Sequence, residues 1–141
     1  MRGGMTMKSK RTIMLVEDDS VDAMTVERAL KDVNVNNPLH VASNGEEGLA
    51  YLNSSPAPGL ILLDLNMPRM SGLEFLQTIK ADHKFRKIPV VVLTTSAAKL
   101  DREASFDCSV AGYMIKPVEY RKFVEVIKLI DTYWTSSETP D

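Results

Sequence analysis

Short apolar runs in this chain end in side chains that could carry out chemistry together. Glu17 and Asp18 follow one run, Asp64 follows a second, and Thr94 and Lys116 follow two more. An apolar run of this length, bounded by turn signals, is typical of a strand buried on both faces at the centre of a parallel sheet. Because ligands bind at the carboxyl ends of the strands in open α/β sheets, we expect all five side chains to share one edge.

The chemistry that these side chains favour is phosphoryl transfer to a carboxylate. Crowded acids repel one another, and Mg²⁺, which prefers oxygen ligands, relieves that repulsion. A carboxylate can attack a phosphoryl group, while a metal, an ammonium and a hydroxyl stabilise charge on the phosphoryl oxygens. Asp64 would be the nucleophile, with Lys116 and Thr94 as the ammonium and the hydroxyl. Each residue alone has an ordinary explanation as a turn or helix-start residue, so the prediction depends on their coincidence.

Strands and helices alternate five times in the order that would position this site. The predicted strands are 12–16, 39–42, 60–63, 90–93 and 111–115. Apolar residues at helical spacing predict helices over about 20–33, 45–52, 73–79, 97–106 and 123–134. The connections allow right-handed crossovers, so we predict an α/β fold with helices on both faces of a five-stranded parallel sheet. In the flavodoxin-like strand order 2-1-3-4-5, the first and fourth strands flank the third.

Length and composition indicate one ordinary domain, since the 141 residues are 44% hydrophobic and 26% charged. We expect this domain to occupy residues 11–134, between a flexible N-terminus (1–10) and a short polar tail (135–141), with no output domain. The net charge of −2 argues against a nucleic-acid-binding protein. Cys108 is the only cysteine, which fits a reducing compartment and predicts the cytoplasm. No apolar run approaches the ~20 residues of a membrane span.

The chain resembles the receiver domain of two-component response regulators over nearly its whole length. The matching motifs are Glu17-Asp18, Asp64 with Met67-Pro68 and Gly72, Thr94, and Lys116-Pro117 with Tyr113 three residues earlier. The resemblance implies a CheY-like (βα)5 receiver fold that accepts a phosphoryl group from a sensor histidine kinase with the help of Mg²⁺. It also implies a signalling protein rather than an enzyme, with no activity beyond its own phosphotransfer and dephosphorylation.

The resemblance also assigns a metal-binding role to residues near the acceptor. By this resemblance, Asp64 is the phosphoacceptor and a metal ligand. Asp18 would bind Mg²⁺ directly, Glu17 would bind it through a water molecule, and Asn66 would bind it through its backbone carbonyl. Asp19 falls one position beyond the usual acidic pair, so we expect it to cap the first helix instead.

The remaining motif residues resemble the switch of receiver domains. Lys116 would pair with the phosphate, and Thr94 would be the hydroxyl that moves toward it. Tyr113 stands where the family has an aromatic ring that reorients with that hydroxyl, because an inward Thr94 leaves space that favours one rotamer of the ring. The face formed by the fourth helix, the fifth strand and the fifth helix would then report the state to a downstream protein or a phosphotransfer protein.

A narrower resemblance is to the stand-alone regulators that work with bacterial phytochrome kinases. It is carried by the Leu-Thr-Thr-Ser run at residues 93–96 and by a last helix that ends in Tyr133 and Trp134 before a short polar tail. It implies a bacteriophytochrome as a candidate kinase and a homodimer formed through the output face. Exposed Tyr133 and Trp134 would suit such an interface. The alternative is that both residues simply cover the end of the last helix.

Thr95 departs from the family pattern, which commonly has Ala or Gly directly after the switch hydroxyl. A larger β-branched side chain at this position could narrow access to the acyl phosphate. Our hypothesis is that Thr95 slows phosphorylation by small donors, or hydrolysis.

Two other functions are compatible with parts of this pattern. A phosphatase of the haloacid dehalogenase type also uses an aspartate after an apolar strand, but it has a second acid two residues later, where this chain has Asn66. A degenerate receiver that serves only as an adaptor is the other alternative. The intact set of Glu17, Asp18, Asp64, Thr94 and Lys116 argues against it, because a scaffold has no need for a repulsive cluster.

Overall fold

The computed structural model describes residues 11–67 and 69–136. Pro68 of the predicted motif, the predicted N-terminal segment 1–10 and residues 137–141 lie outside this range. The elements in chain order are β1 (Ile13–Val16), α1 (Ser20–Asp32), β2 (Leu39–Ala42), α2 (Gly45–Ser54), β3 (Leu60–Leu63), α3 (Gly72–Lys80), β4 (Val90–Thr94), α4 (Lys99–Asp107), β5 (Gly112–Ile115) and α5 (Tyr120–Ser136). All ten predicted elements are present. The main difference is at α5, which continues through residues 135 and 136, where the polar tail is predicted to begin.

The five strands form one parallel sheet in the order β2-β1-β3-β4-β5, which confirms the predicted fold class and strand order. Leu63 at the end of β3 pairs with Val16 of β1 and with Val92 of β4. At the other side of β4, Thr94 pairs with Ile115 of β5. The residues that follow these positions therefore leave the sheet at one common edge.

Burial on both faces explains why the central strands are continuously apolar. Every residue of β1, β3 and β4 is buried. Alternate residues of β3 face opposite sides of the sheet. Leu60 and Leu62 pack with Phe123 of α5. Ile61 and Leu63 pack with Phe75 of α3. Helices α1 and α5 thus cover one face of the sheet, and α2 and α3 cover the other.

Local signals at the helix starts agree with the structure. The carboxylate of Asp19 caps α1, because its Oδ1 accepts hydrogen bonds from the backbone N–H groups of Val21 at 2.8 Å and Asp22 at 3.1 Å. This confirms the predicted capping role and keeps Asp19 out of the acidic cluster. Ser71 and Glu74 form a reciprocal capping box at the start of α3.

The end of α5 decides between the two alternatives for Tyr133 and Trp134 separately for each residue. Trp134 is only 2% exposed, and its indole N–H donates to the backbone carbonyl of Gly59 at 3.1 Å. Trp134 continues the buried stripe of α5, four residues after Ile130. Tyr133 is 48% exposed. Trp134 therefore belongs to the core, and of the two residues only Tyr133 is available to a partner.

None of the helices in the described part of the chain combines the length and the apolarity that crossing a bilayer requires.

Candidate functional site

Three carboxylates converge at the carboxyl edge of the sheet. Glu17, Asp18 and Asp64 each offer an oxygen, and these atoms lie within 4.8 Å of one another. The register of β1 and β3 accounts for this, because Val16 and Leu63 are paired and the acids are the next residues along each strand. Glu17 and Asp64 are buried, whereas Asp18 is exposed. The cluster is thus open to solvent on one side.

The chemistry of this donor set suits a divalent cation. Hard oxygen ligands favour Mg²⁺, Ca²⁺ or Mn²⁺ over softer metals, and a partly open site leaves room for water or phosphate oxygens. Asn66 lies beside the same group, since its backbone N–H donates to Asp64 Oδ1 at 3.4 Å. The residues present therefore fit a divalent metal ion.

Burial also affects protonation within the cluster. Desolvation raises the pKa of Glu17 to about 7, and the negative charge of Asp64 adds to this effect, while the Lys116 ammonium opposes it. A nearby cation strongly stabilises the ionised form of carboxyl groups that are buried and crowded in this way. The cluster is consequently a place where positive charge is stabilised.

Lys116 supplies the positive charge that the described residues bring to the cluster. Its ammonium forms ion pairs with Glu17 Oε1 and, at 3.2 Å, with Asp22 Oδ2, and its side chain is 9% exposed. Burial lowers the pKa of Lys116, but the hydrogen bond that its ammonium donates to Glu17 and the negative charges of Glu17, Asp64 and Asp22 outweigh this effect, so the net pKa is raised. Lys116 therefore stays protonated at neutral pH and lies at the same edge as the acids.

Thr94 lies directly against the Asp64 carboxylate. Its hydroxyl donates to Asp64 Oδ1 at 2.8 Å, and the residue is fully buried. The pairing of β3 with β4 places the two side chains together, because Asp64 follows Leu63 and Thr94 closes the neighbouring strand. The hydroxyl is thus already directed at the acidic group of the site.

Tyr113 is connected to this hydroxyl through Ser96. The phenol O–H of Tyr113 donates to the backbone carbonyl of Ser96 at 2.8 Å, and the backbone N–H of Ser96 donates to Thr94 Oγ1 at 3.3 Å. The Ser96 hydroxyl also donates to Asp101 in the first turn of α4 at 2.6 Å. A chain of hydrogen bonds therefore runs from Asp64 through Thr94 to both Tyr113 and α4.

Thr95 borders the site through a cavity and through a contact with Asn66. It lines a cavity of about 440 Å³ together with Asp22 and Lys116. Its hydroxyl accepts a hydrogen bond from the side-chain amide of Asn66 at 3.4 Å. This contact joins the two loops that border the acidic cluster.

Gly72 allows the start of α3 to press against the loop that carries Asp64. A Cβ at position 72 would lie 2.3 Å from the backbone oxygen of Asp64 and 2.5 Å from Leu65 Cα, both closer than any real contact. The N–H of Gly72 donates to the carbonyl of Leu65 at 3.1 Å. Only a residue without a side chain fits this approach.

Two residues of the site were not predicted from the sequence. Asp22 follows the acidic pair within the first turn of α1, so its position at the same edge could have been found from the helix start. Ser96 gives no comparable signal, because its importance comes from the contacts of a loop residue with Tyr113 and Asp101.

A parallel (βα)5 fold with an acidic cluster, a buried hydroxyl and an ammonium at its carboxyl edge defines a signalling domain of the receiver class. The chain belongs to the response regulator receiver domain family, whose model matches residues 13–128. Receiver domains are phosphorylated on an aspartate in two-component signalling, in which they interact with histidine kinases. The chain is thus a signalling protein, which disfavours the phosphatase alternative.

Relatives of this chain include phytochrome response regulators. The response regulator Rcp1 of Synechocystis sp. is 35% identical over 135 residues, covering 92% of each protein. The crystal structure of the phosphorylated cyanobacterial phytochrome response regulator RcpA is 34% identical, with a TM-score of 0.88 over 94% of this chain and 99% of that one. The Mn²⁺-bound form of Rcp1 is 34% identical, with a TM-score of 0.85 over 93% and 99%. These similarities support the narrower resemblance to phytochrome response regulators.

Proposed function

We propose that Asp64 is the phosphoacceptor of this response regulator. A carboxylate oxygen of Asp64 attacks the phosphorus of a kinase phosphohistidine, the phosphorus–nitrogen bond breaks, and the bonding electrons stay with the ring nitrogen, which takes up a proton from water so that neutral histidine leaves. The single observation that supports this assignment best is the position of Asp64, which lies in the acidic cluster and also accepts the Thr94 hydroxyl at 2.8 Å. Of the three clustered acids, it is the one held by β3 at the centre of the sheet.

The metal of the site is proposed to be Mg²⁺. The carboxylates of Glu17, Asp18 and Asp64 would hold it together with the backbone carbonyl of Asn66, with Glu17 bound through water. When bound, the metal supplies charge stabilisation to the phosphoryl oxygens. The oxygen-only donor set favours this ion, and the Mn²⁺-bound form of Rcp1 is a precedent for a divalent metal in a relative.

Lys116 and Thr94 are proposed to bind the phosphoryl oxygens. The Lys116 ammonium lies among the acids and can donate to an incoming phosphoryl group, while the Thr94 hydroxyl can exchange its bond to the Asp64 carboxylate for one to a phosphoryl oxygen. Since Ser96 joins Thr94 to Tyr113, a change in the position of that hydroxyl would alter the preferred rotamer of Tyr113. The phosphoryl group would thereby shift the population of states.

The face of α4, β5 and α5 is the proposed output surface. It carries exposed apolar side chains at Leu100, Phe106 and Ile115, and the ring of Phe106 lies 6.4 Å from that of Tyr113. A downstream protein, a phosphotransfer protein or a second copy of the chain would bind here. Tyr133 remains available for a homodimer, whereas the burial of Trp134 removes it from such a role.

A bacteriophytochrome is proposed as the kinase partner, with the exchange taking place in the cytoplasm. The support is the similarity to the phytochrome response regulator RcpA, which extends over 94% of this chain. The single cysteine of the sequence is consistent with a reducing compartment.

Intact-mass measurement after incubation with acetyl phosphate and Mg²⁺ tests this function. We expect a gain of one phosphoryl group, which should disappear when a chelator replaces Mg²⁺. Reduction of the acyl phosphate with borohydride, followed by peptide mapping, should place the modification at Asp64. Modification at Asp18 instead would contradict the assignment, and the absence of any gain with both acetyl phosphate and a candidate kinase would favour the adaptor alternative.

Replacing Thr95 with Ala should speed phosphorylation by acetyl phosphate, or hydrolysis of the acyl phosphate, by about two- to tenfold. The reason is that the change removes bulk beside the site and also removes the hydrogen bond from the Asn66 amide. That hydrogen bond contributes about 0.5–1.5 kcal/mol. The rates can be followed by intact mass over time. Thr25→Ala is a matched control, since Thr25 lines the same cavity and its hydroxyl donates to the Val21 carbonyl within α1. Unchanged rates for both steps in Thr95→Ala would refute the hypothesis.

A further inference from the structure

Asp22 is a second acidic partner of Lys116 that is not among the clustered acids. Its Oδ2 lies 3.2 Å from the Lys116 ammonium. The backbone N–H of Asp22 donates to Asp19 Oδ1 at 3.1 Å, so the cap of α1 fixes the position of the residue. The contact bridges 94 positions of the chain and joins α1 to the end of β5.

The two acidic partners of Lys116 differ in their exposure to water. The Glu17 side chain is 1% exposed, whereas the Asp22 side chain is 45% exposed. Water can replace Lys116 at the exposed carboxylate but not at the buried one, so the contact with Asp22 is the weaker of the two. Asp22 is therefore the partner that Lys116 can give up at the lower cost.

Lys116 has a limited number of hydrogen-bond donors to share between Glu17, Asp22 and a phosphoryl group. An ammonium has three N–H groups, and in this structure Glu17 and Asp22 each accept one. A phosphoryl group on Asp64 presents several negatively charged oxygens to the same ammonium. One N–H remains for a phosphoryl oxygen, so a phosphoryl group that accepts a second bond from Lys116 competes with Asp22 for it.

We propose that Asp22 is a positioning residue that competes with the phosphoryl group for Lys116 and so weakens the binding of that group to the site. The inference rests on the proposed function, in which Asp64 carries the phosphoryl group. Asp22 lines the cavity of about 440 Å³ beside Lys116, so its charge also faces any anion that enters that cavity. Both effects oppose an incoming anion.

The charge of Asp22 has the opposite effect on the metal ion. A carboxylate close to the cluster of Glu17, Asp18 and Asp64 attracts a divalent cation at the same time as it repels a phosphoryl group. Loss of this charge should therefore weaken the binding of Mg²⁺ and strengthen the binding of the anion. A variant that is merely misfolded would lose affinity for both.

Asp22→Asn tests this inference through two binding measurements on the whole chain. Calorimetric titration should give a dissociation constant for beryllofluoride, measured at saturating Mg²⁺, that is about two- to fivefold lower than in the wild type. Titration of Mg²⁺ alone should give a dissociation constant that is higher by a factor of similar size. Beryllofluoride is the probe because it takes the place of the phosphoryl group on an aspartate.

Two control variants separate the charge of Asp22 from other effects. Asp22→Glu keeps the negative charge and should stay within about twofold of the wild type for beryllofluoride. Glu27→Gln makes the same change of charge at an exposed position five residues further along α1, and it should leave both constants unchanged.

The outcomes distinguish this inference from the proposed function. If the wild type does not bind beryllofluoride with Mg²⁺, the proposed function fails. If the wild type binds it and Asp22→Asn binds it equally or more weakly, the function stands and the role of Asp22 is wrong. If Asp22→Asn and Asp22→Glu lowered the beryllofluoride dissociation constant equally, the proposed role of Asp22 would also be wrong, because the loss of its charge would not explain the change.

Discussion

An Asp64→Asn variant should gain no phosphoryl group from acetyl phosphate and Mg²⁺ under conditions that fully modify the wild type. An amide cannot act as the nucleophile that a carboxylate provides. The replacement has nearly the same size and retains Oδ1, so it can still accept the Thr94 hydroxyl. Intact mass measures the loss, which we expect to be complete.

Stability separates this chemical effect from misfolding. Removal of one acid from the cluster reduces its repulsion, so the unfolding midpoint of Asp64→Asn without metal should equal or exceed that of the wild type. Asp107→Asn is the matched control, because Asp107 is exposed at the end of α4 and should be phosphorylated like the wild type. Persistent modification of Asp64→Asn at another residue would show that a different acid is the acceptor.

The sheet could be predicted from the sequence because its physical signals are local. The run from Leu60 to Leu63 is apolar at every position because helices cover both faces of β3. Asp64 is the first residue after this buried strand. Parallel pairing then brings the ends of β1, β3, β4 and β5 to one edge whatever the details of the loops. Convergence of the acids follows from this topology.

The choice of partners at the site could not be predicted in the same way. Lys116 has a long, flexible side chain, and several acids lie within its reach. That it pairs with Asp22 depends on how closely the first turn of α1 approaches the end of β5, which is a tertiary distance. The link through Ser96 depends likewise on the path of the loop after β4. Sequence patterns of period 2 or 3.6 carry no information on either distance.

At the end of α5, the helical spacing places Trp134 on the buried stripe but does not identify its hydrogen-bond partner. Adjacent residues of a helix point about 100° apart, so Tyr133 and Trp134 cannot both lie at the centre of one face. Trp134 is buried because it continues the apolar stripe of Ile127 and Ile130, and the carbonyl of Gly59, the residue before β3, accepts its indole N–H. That partner is 75 positions away in the chain, so no local pattern identifies it.

Replacing Trp134 with Ala should lower the free energy of unfolding by about 3–5 kcal/mol, because it empties the space of a large core side chain. Trp134 packs in the core between the sheet, α1 and α5, with Ile13, Leu30 and Ile130 in the same cluster. Trp134→Phe keeps much of this packing but leaves the buried Gly59 carbonyl without the indole N–H, for an expected loss of about 1–3 kcal/mol. Chemical denaturation followed by far-UV circular dichroism measures both, since the variants lack the tryptophan fluorophore.

Tyr133→Ala is the matched control for this prediction, because it removes the neighbouring aromatic ring from a site that is 48% exposed. Its cost should be about 1 kcal/mol or less. The site for phosphorylation lies at the opposite end of the sheet, beyond the carboxyl ends of the strands, while Gly59 precedes β3. Trp134→Phe should therefore be phosphorylated as the wild type is, provided that it is assayed below its unfolding midpoint. A loss in Tyr133→Ala equal to that in Trp134→Ala would contradict the assignment of Trp134 to the core.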